Sequence, residues 1–106
     1  MMARSLATLT ACLIITACAN WVKLEPDADK VRLVSDSEVH SCERKGRTTT
    51  SVRNRVAGVE RNPGKVEQEL ADLARNSALE LGGDTIVADG PVEDGERRFI
   101  VYRCRR

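Results

Sequence analysis

Apolar and polar positions follow a helical period between Val66 and Leu81. The apolar residues recur at spacings of three and four, as Val66, Leu70, Leu73, Ala74, Ala78 and Leu81. This spacing places them on one face and predicts an amphipathic helix. We expect the helix to begin at Asn62-Pro63, where asparagine can cap the first turn and proline fits its first position. Glycine favours the end of a helix, so it should stop at Gly82-Gly83.

Segments on both sides of this helix have the patterns of strands. Residues 31–34 and Thr85-Ile86-Val87-Ala88 are short strand candidates, and residues 98–104 alternate between two faces. The polar segment 43–55 contains three threonines and a valine, and we expect an exposed strand or hairpin there. A helix that covers one face of a small, mainly antiparallel sheet buries these apolar surfaces economically, so the predicted fold class is α+β.

Another apolar stretch, residues 6–15, follows Arg4. Its last residue begins the sequence Ile15-Thr16-Ala17-Cys18. It is too short for a transmembrane helix, which needs about 20 apolar residues. A positive residue, a short apolar region and small residues are typical of an export signal. The last four residues resemble the lipobox of bacterial lipoprotein precursors. The resemblance implies that residues 1–17 are a removed signal peptide and that Cys18 is lipidated, and an ordinary secretory signal is the alternative.

The lipobox resemblance also implies a location. A covalent lipid on Cys18 would be the protein's membrane anchor, and no other cofactor is expected. Two or three acyl chains hold a protein firmly on a bilayer, because each buried methylene contributes about 0.8 kcal/mol. In lipoproteins of Gram-negative bacteria, Asp after the lipidated cysteine commonly causes retention in the inner membrane, and Ala19 stands there. We therefore expect the outer membrane, facing the periplasm, with the inner membrane as the alternative.

Removal of residues 1–17 from the 106-residue chain leaves one small domain. We assign residues 18–30 to the lipidated N-terminus and a short tether, and residues 31–106 to a compact domain. With Cys12 removed and Cys18 acylated, two cysteines remain.

Those two cysteines, Cys42 and Cys104, are most simply a disulfide, because an exported chain matures in an oxidising compartment. A redox-active pair or a metal site that includes His40 is the alternative. Redox pairs usually have C-x-x-C spacing, and a zinc site would need a fourth ligand.

Charge is nearly balanced over the chain, with 17 basic and 16 acidic residues, which indicates no polyanionic partner. Nucleic acid is excluded for a periplasmic protein. One stretch is nevertheless basic, namely Arg44, Lys45, Arg47, Arg53, Arg55 and Arg61, with Glu60 opposing it. Clustered basic residues gain about 1 kcal/mol each close to an anionic membrane surface. Our hypothesis is that this stretch docks on anionic lipid or an acidic envelope protein, and a solvated face is the alternative.

Patterns that carry catalysis are missing from the sequence. There is no nucleophile in a known turn motif, no phosphate-binding loop and no dinucleotide fingerprint. The acidic turn Glu93-Asp94-Gly95-Glu96 does not match a calcium loop. For Asn76 we expect a packing or capping contact to a neighbouring strand, with a ligand contact as the alternative. We therefore predict that the protein is not an enzyme and holds no metal, and no pattern sets an oligomeric state.

Several segments together resemble a family of small proteobacterial lipoproteins related to the Rcs stress-sensing lipoproteins (RcsF-like). They are the lipobox, Cys42, the run Leu73-Ala74-Arg75-Asn76-Ser77-Ala78, the following Leu81-Gly82-Gly83-Asp84-Thr85, and Val101-Tyr102-Arg103-Cys104. The resemblance implies a disulfide-bearing α+β domain at the outer membrane that monitors or maintains the envelope. The Rcs sensor has four domain cysteines and a long proline-rich linker, whereas this chain has two and a short tether. We expect an interaction or stress-sensing module, with structural envelope maintenance as the alternative.

Overall fold

A computed structural model describes residues 22–105; the predicted signal peptide, Cys18 and Trp21 lie outside the described residues. The strands are β1 (Arg32–Val34), β2 (Glu43–Ser51), β3 (Arg55–Val56), β4 (Val59–Glu60), β5 (Thr85–Ala88) and β6 (Glu96–Arg103), and the helix is α1 (Pro63–Glu80). Two short 3-10 helices span Ala28–Lys30 and Asp36–Glu38.

Four of these strands form the main sheet, in the order β1-β5-β6-β2, and β3 and β4 form a separate hairpin. β1 runs parallel to β5, and the other two pairings are antiparallel. One helix packs against this sheet, so the predicted α+β class is confirmed. The predicted exposed strand is found as β2, an edge strand of the sheet, followed by the β3–β4 hairpin.

Local signals set both ends of α1 as predicted. The Asn62 side chain accepts a hydrogen bond at 3.1 Å from the backbone N–H of Lys65, the third helical residue, and Pro63 is the first helical residue. At the other end Gly82 has φ 80°, a left-handed conformation that glycine adopts without steric cost. The N–H of Gly83 then donates to the carbonyl of Ala78 at 2.8 Å. The chain therefore leaves the helix directly into β5.

The core lies between α1 and one face of the sheet. Its fully buried members include Leu70, Ala74, Ala78, Ile86, Phe99 and Val101, each 0% exposed. Gly83 is part of the same packing, because a Cβ there would overlap the Val101 side chain and lie 2.9 Å from the Tyr102 carbonyl oxygen. Aliphatic residues and a single phenylalanine therefore fill the contact between helix and sheet.

The other face of the sheet is partly covered by the connection from β1 to β2. These strands lie at opposite edges, so residues 35–42 must cross the sheet. Arg32 pairs with Thr85 on the face away from α1, and its guanidinium lies 3.9 Å from Glu38 in the connection. On this face Val39 and Val87 are buried yet lie outside the main core cluster. The connection therefore crosses the face opposite the helix and shields its β1–β5 half.

The chain before β1 is packed against the helix. Asn76 in α1 accepts a hydrogen bond from the Glu25 N–H at 2.8 Å, and its amide nitrogen donates to the Lys23 carbonyl at 2.9 Å. Ala28 is fully buried. Residues 23–30, which we predicted as part of a tether, are thus attached to the folded domain. Asn76 makes a packing contact, but its partners lie in this segment and not in a neighbouring strand as predicted.

Candidate functional site

The disulfide joins Cys42, just before β2, to Cys104, just after β6. The adjacent residues Glu43 and Arg103 are cross-strand partners, so the strand register brings the two sulfur atoms together. This confirms the predicted pairing. The bond closes a loop with a sequence separation of 62 residues, which contributes about 4 kcal/mol in the chain-entropy model. A small domain gains a large share of its stability from such a cross-link.

A half-buried carboxylate, which sequence reasoning missed, holds the chain beside the disulfide. The side chain of Asp84 accepts hydrogen bonds from the backbone N–H groups of Cys104 and Arg105, both at 2.8 Å, and from the Thr85 hydroxyl at 2.9 Å. Burial raises the pKa of Asp84, but these hydrogen bonds and the Arg105 charge outweigh it, so the pKa lies below its ordinary value. Asp84 therefore ties the start of β5 to the end of β6.

The metal alternative needs His40 and further ligands close to the two cysteines. Cys42 and Cys104 are bonded to each other, and His40 is exposed in the connection before them. Within residues 22–105, no group of three or more His, Cys, Asp or Glu side chains is arranged to hold a metal ion. The described geometry around the disulfide is that of a cross-link.

Two of the predicted basic residues lie on the face of the sheet opposite α1. Arg44 pairs with Tyr102 and Arg47 pairs with Ile100, which are the outward positions of β6. Residues three apart in a strand normally point to opposite faces. A register shift between Arg44 and Gly46 removes this alternation, so the β-bulge brings both arginines to one face.

A third guanidinium extends this surface. Arg98 pairs with Thr49 and is therefore a diagonal neighbour of Arg47. Diagonal neighbours in a sheet are typically about 7–8 Å apart. Arg98 lies 3.9 Å from Asp89, whereas within residues 22–105 neither Arg44 nor Arg47 has an ion pair. We call Arg44, Arg47 and Arg98 the basic face. The sequence did not predict the basic face. It grouped Arg44 and Arg47 with the basic residues between positions 53 and 61 and gave no reason to include Arg98.

The rest of the basic stretch is located elsewhere. Lys45 lies in the bulge, 3.6 Å from Glu43. Arg53 is exposed in the segment after β2, and Arg55 in the hairpin lies 3.5 Å from Glu60. The five predicted residues therefore do not form one surface.

Arg61, the last member of the stretch, is not a surface cation. Its guanidinium donates to both carboxylate oxygens of Glu69 at 2.9 and 2.8 Å and to the Arg53 carbonyl at 3.0 Å. The side chains of Arg61 and Glu69 are only 11% and 2% exposed. The hydrogen bonds to Glu69 raise the pKa of Arg61 above its usual value, despite the opposing effect of burial. This pair fixes the hairpin to the helix, and a basic residue in a polar stretch gave no signal of it.

A cleft of about 270 Å³ opens between the hairpin, the first turns of α1 and the turn before β6. Its apolar lining comes from Pro63, Val66 and Val92, and carboxylates at its edge come from Glu60, Glu67 and Asp94. The Asp94-Gly95 turn has φ 52° and 74°, the geometry of a tight hairpin turn.

The fold and its disulfide define a small cross-linked α+β domain, and residues 22–104 match the model of a family described as a domain of unknown function (DUF4156). Because this match covers most of the chain, the protein belongs to that family. No curated protein matches the sequence. The structure is similar to the solution NMR structure of Salmonella typhimurium LT2 secreted protein STM0082, with a TM-score of 0.45 and 19% identity over 94% of this chain and 88% of that chain.

No helix within residues 22–105 has the length and apolar character needed to cross a membrane.

Proposed function

We propose that this protein is a lipid-anchored envelope protein, held by acyl chains on Cys18 at the outer membrane and facing the periplasm. Its domain acts as a non-catalytic interaction or stress-sensing module of the kind that the Rcs sensor lipoproteins represent. The observation that carries the proposal is the Cys42–Cys104 disulfide, because such bonds persist in oxidising compartments such as the periplasm. The lipobox-like residues before Cys18 support the anchor.

The attachment of the N-terminal segment to Asn76 determines how near the bilayer this domain sits. The Lys23 carbonyl accepts a hydrogen bond from Asn76, so only the five residue steps from Cys18 to Lys23 separate the proposed anchor from this contact. At 3.3–3.6 Å per residue, they reach at most about 18 Å. The side of the domain that carries this segment is consequently held close to the lipid headgroups.

Lipidation is tested by expressing the full chain in a Gram-negative bacterium, separating the membranes and measuring the mass of the mature N-terminal peptide. We expect a diacylglyceryl-modified Cys18 in the outer-membrane fraction. Cys18→Ala should lose both the modification and the processing. Cys12→Ala is the matched control, because it lies in the segment that is removed and should change neither. An unmodified N-terminus in the periplasmic fraction contradicts the proposal.

The basic face offers a separate contact to anionic lipid phosphates, on the side of the sheet opposite the helix that holds the N-terminal segment. Arg44 and Arg47 are exposed, lie on the same side of β2 and have no ion pair within the described chain. At about 1 kcal/mol for each basic residue near an anionic surface, the two contribute roughly a thirtyfold gain in association.

We test this contact with a soluble form that starts after Cys18, mixed with vesicles of phosphatidylcholine that contain anionic phosphatidylglycerol. Arg44→Gln/Arg47→Gln should weaken association at low salt by roughly thirtyfold, and high salt should remove the difference. The control is Arg53→Gln/Arg55→Gln, which makes the same change of charge outside the basic face. Equal losses in both double variants would show that only net charge matters.

A structural envelope-maintenance protein without signalling is a second candidate, and the short reach between Cys18 and Asn76 favours it. A domain tied this closely to the bilayer cannot extend far toward a distant receptor. Crosslinking in intact cells followed by mass identification of neighbours distinguishes the two. A signalling partner supports the sensor, and envelope assembly components support the structural role.

A further inference from the structure

The cleft beside the hairpin combines an apolar floor with an acidic rim. Its apolar lining residues are Pro63, Val66 and Val92. Its acidic lining residues are Glu60, Glu67 and Asp94. Its one cationic lining residue, Arg61, is bonded to the buried carboxylate of Glu69. We propose that this cleft binds a lysine or arginine side chain from an extended basic segment of a partner protein.

The size of the cleft favours a single side chain. Its volume of about 270 Å³ is below the range of roughly 300–1,000 Å³ that holds drug-sized molecules. Lysine and arginine carry long aliphatic stems that cover apolar surface while the charged group reaches polar surroundings. The stem would lie on Pro63 and Val92, and the cation would meet the carboxylates at the rim.

The rim carboxylates are available to such a cation. Asp94 makes no ion pair within residues 22–105. Glu67 lies 3.7 Å from Arg97 and Glu60 lies 3.5 Å from Arg55, and both carboxylates are at least 60% exposed. Exposed pairs of this kind contribute little, so an incoming cation can compete with them.

The walls of the cleft are fixed before a ligand arrives. Arg61 joins the base of the hairpin to Glu69 in α1 through two hydrogen bonds, and its N–H donates to the Asn54 carbonyl at 2.9 Å. Buried ion pairs add little net stability compared with apolar residues, but they can specify one arrangement. A wall that is already ordered lowers the entropic cost of binding.

The hairpin adds an apolar contact next to the rim. Val56 and Val59 are 39% and 67% exposed at its tip. Ala57 in the turn has φ 53°, a conformation that is costly for residues other than glycine. These valines would contact residues that flank the bound cation. The cleft lies at the Pro63 end of α1, about 20 Å along the helix axis from Asn76 and the N-terminal segment, so a partner can approach from the side away from that segment.

The test uses the full chain purified in neutral detergent and a labelled nonapeptide with one central lysine among serine and valine residues. Fluorescence anisotropy measures binding, and the methyl resonances of Val66 and Val92 locate it. We expect the lysine peptide to bind at least tenfold more tightly than the same peptide with norleucine. Asp94→Asn/Glu67→Gln should weaken binding at least tenfold, because it removes two rim charges. Asn-Gly favours the same hairpin turn as Asp-Gly, so the fold should be retained.

Glu93→Gln is a control for the loss of one charge from the same acidic turn, since Glu93 does not line the cleft. Its binding should remain within twofold of the unchanged protein. Equal binding of the lysine and norleucine peptides overturns the proposal, and so does an equal loss in the control. If sedimentation shows self-association that Asp94→Asn/Glu67→Gln abolishes, the occupant is a second copy and the proposed partner is wrong. Because the assay does not depend on Cys18, its result is separate from that of the anchoring experiment.

Discussion

Replacing Arg61 by methionine removes a cation and two hydrogen bonds from the buried Glu69 carboxylate. Glu69 is 2% exposed, so water cannot replace the lost hydrogen bonds. Breaking a buried pair in this way costs about 3–5 kcal/mol. A domain of this length is stable by roughly 4–13 kcal/mol, at about 0.05–0.15 kcal/mol per residue. Arg61→Met should therefore remove a large part of the free energy of unfolding.

Two further variants show whether the cost comes from leaving one charge buried. Arg61→Met/Glu69→Leu removes both charges from the interior and should recover most of the loss, to within about 1 kcal/mol of the unchanged protein. Arg55→Met breaks the exposed pair with Glu60 in the same hairpin and should cost less than about 1 kcal/mol.

The acid dependence of Arg61→Met gives an independent check. Without the Arg61 cation, burial favours the protonated form of the Glu69 carboxyl and should move its pKa upward relative to the unfolded chain. The folded state then binds more protons than the unfolded state between the two values, so stability rises as pH falls through that window. Urea unfolding followed by circular dichroism, with the disulfide intact, at about pH 7.5 and about pH 5 measures both effects. The reasoning is refuted if Arg61→Met costs no more than Arg55→Met, or if its stability does not increase on acidification.

Two further changes test the junction beside the disulfide. Asp84→Asn removes a carboxylate whose folded pKa is lowered, so it should destabilise the protein at neutral pH. In the unchanged protein, the stabilisation from Asp84 is present above its unfolded pKa and is lost as pH falls through its folded pKa. The free energy of unfolding of Asp84→Asn should therefore depend less on pH below about pH 4. Unfolding measured at a series of pH values tests this. Gly83→Ala would place a methyl group against Val101 and should cost about 1–3 kcal/mol in urea unfolding; an unchanged midpoint would exclude this tight packing.

Features encoded by neighbouring residues could be predicted from the sequence. Asn62-Pro63 and Gly82 set the ends of the helix through their own backbone preferences, so its bounds followed from the chain alone. The cysteine pair followed from elimination and compartment. The alternation of β6 followed from the period of two, with Phe99 and Val101 buried and Arg98 exposed.

Features that depend on distant pairing could not be predicted. The bulge after Arg44 moves Arg47 to the same face, and this depends on the register with β6. Arg61 resembles its basic neighbours in sequence, yet the packing of the hairpin on α1 buries it against Glu69. Asp84 follows a helix end where a loop residue is expected, and its role depends on the return of the chain at Cys104.

The Asn76 amide recognises two peptide groups of the N-terminal segment rather than any side chain. Mutation of Lys23 or Glu25 can therefore alter charge and keep both hydrogen bonds, whereas loss of the amide removes both of them. Under the proposed anchoring at Cys18, the number of residues between Cys18 and position 23 would then set the greatest distance between membrane and domain, by one residue's length for each deletion or insertion.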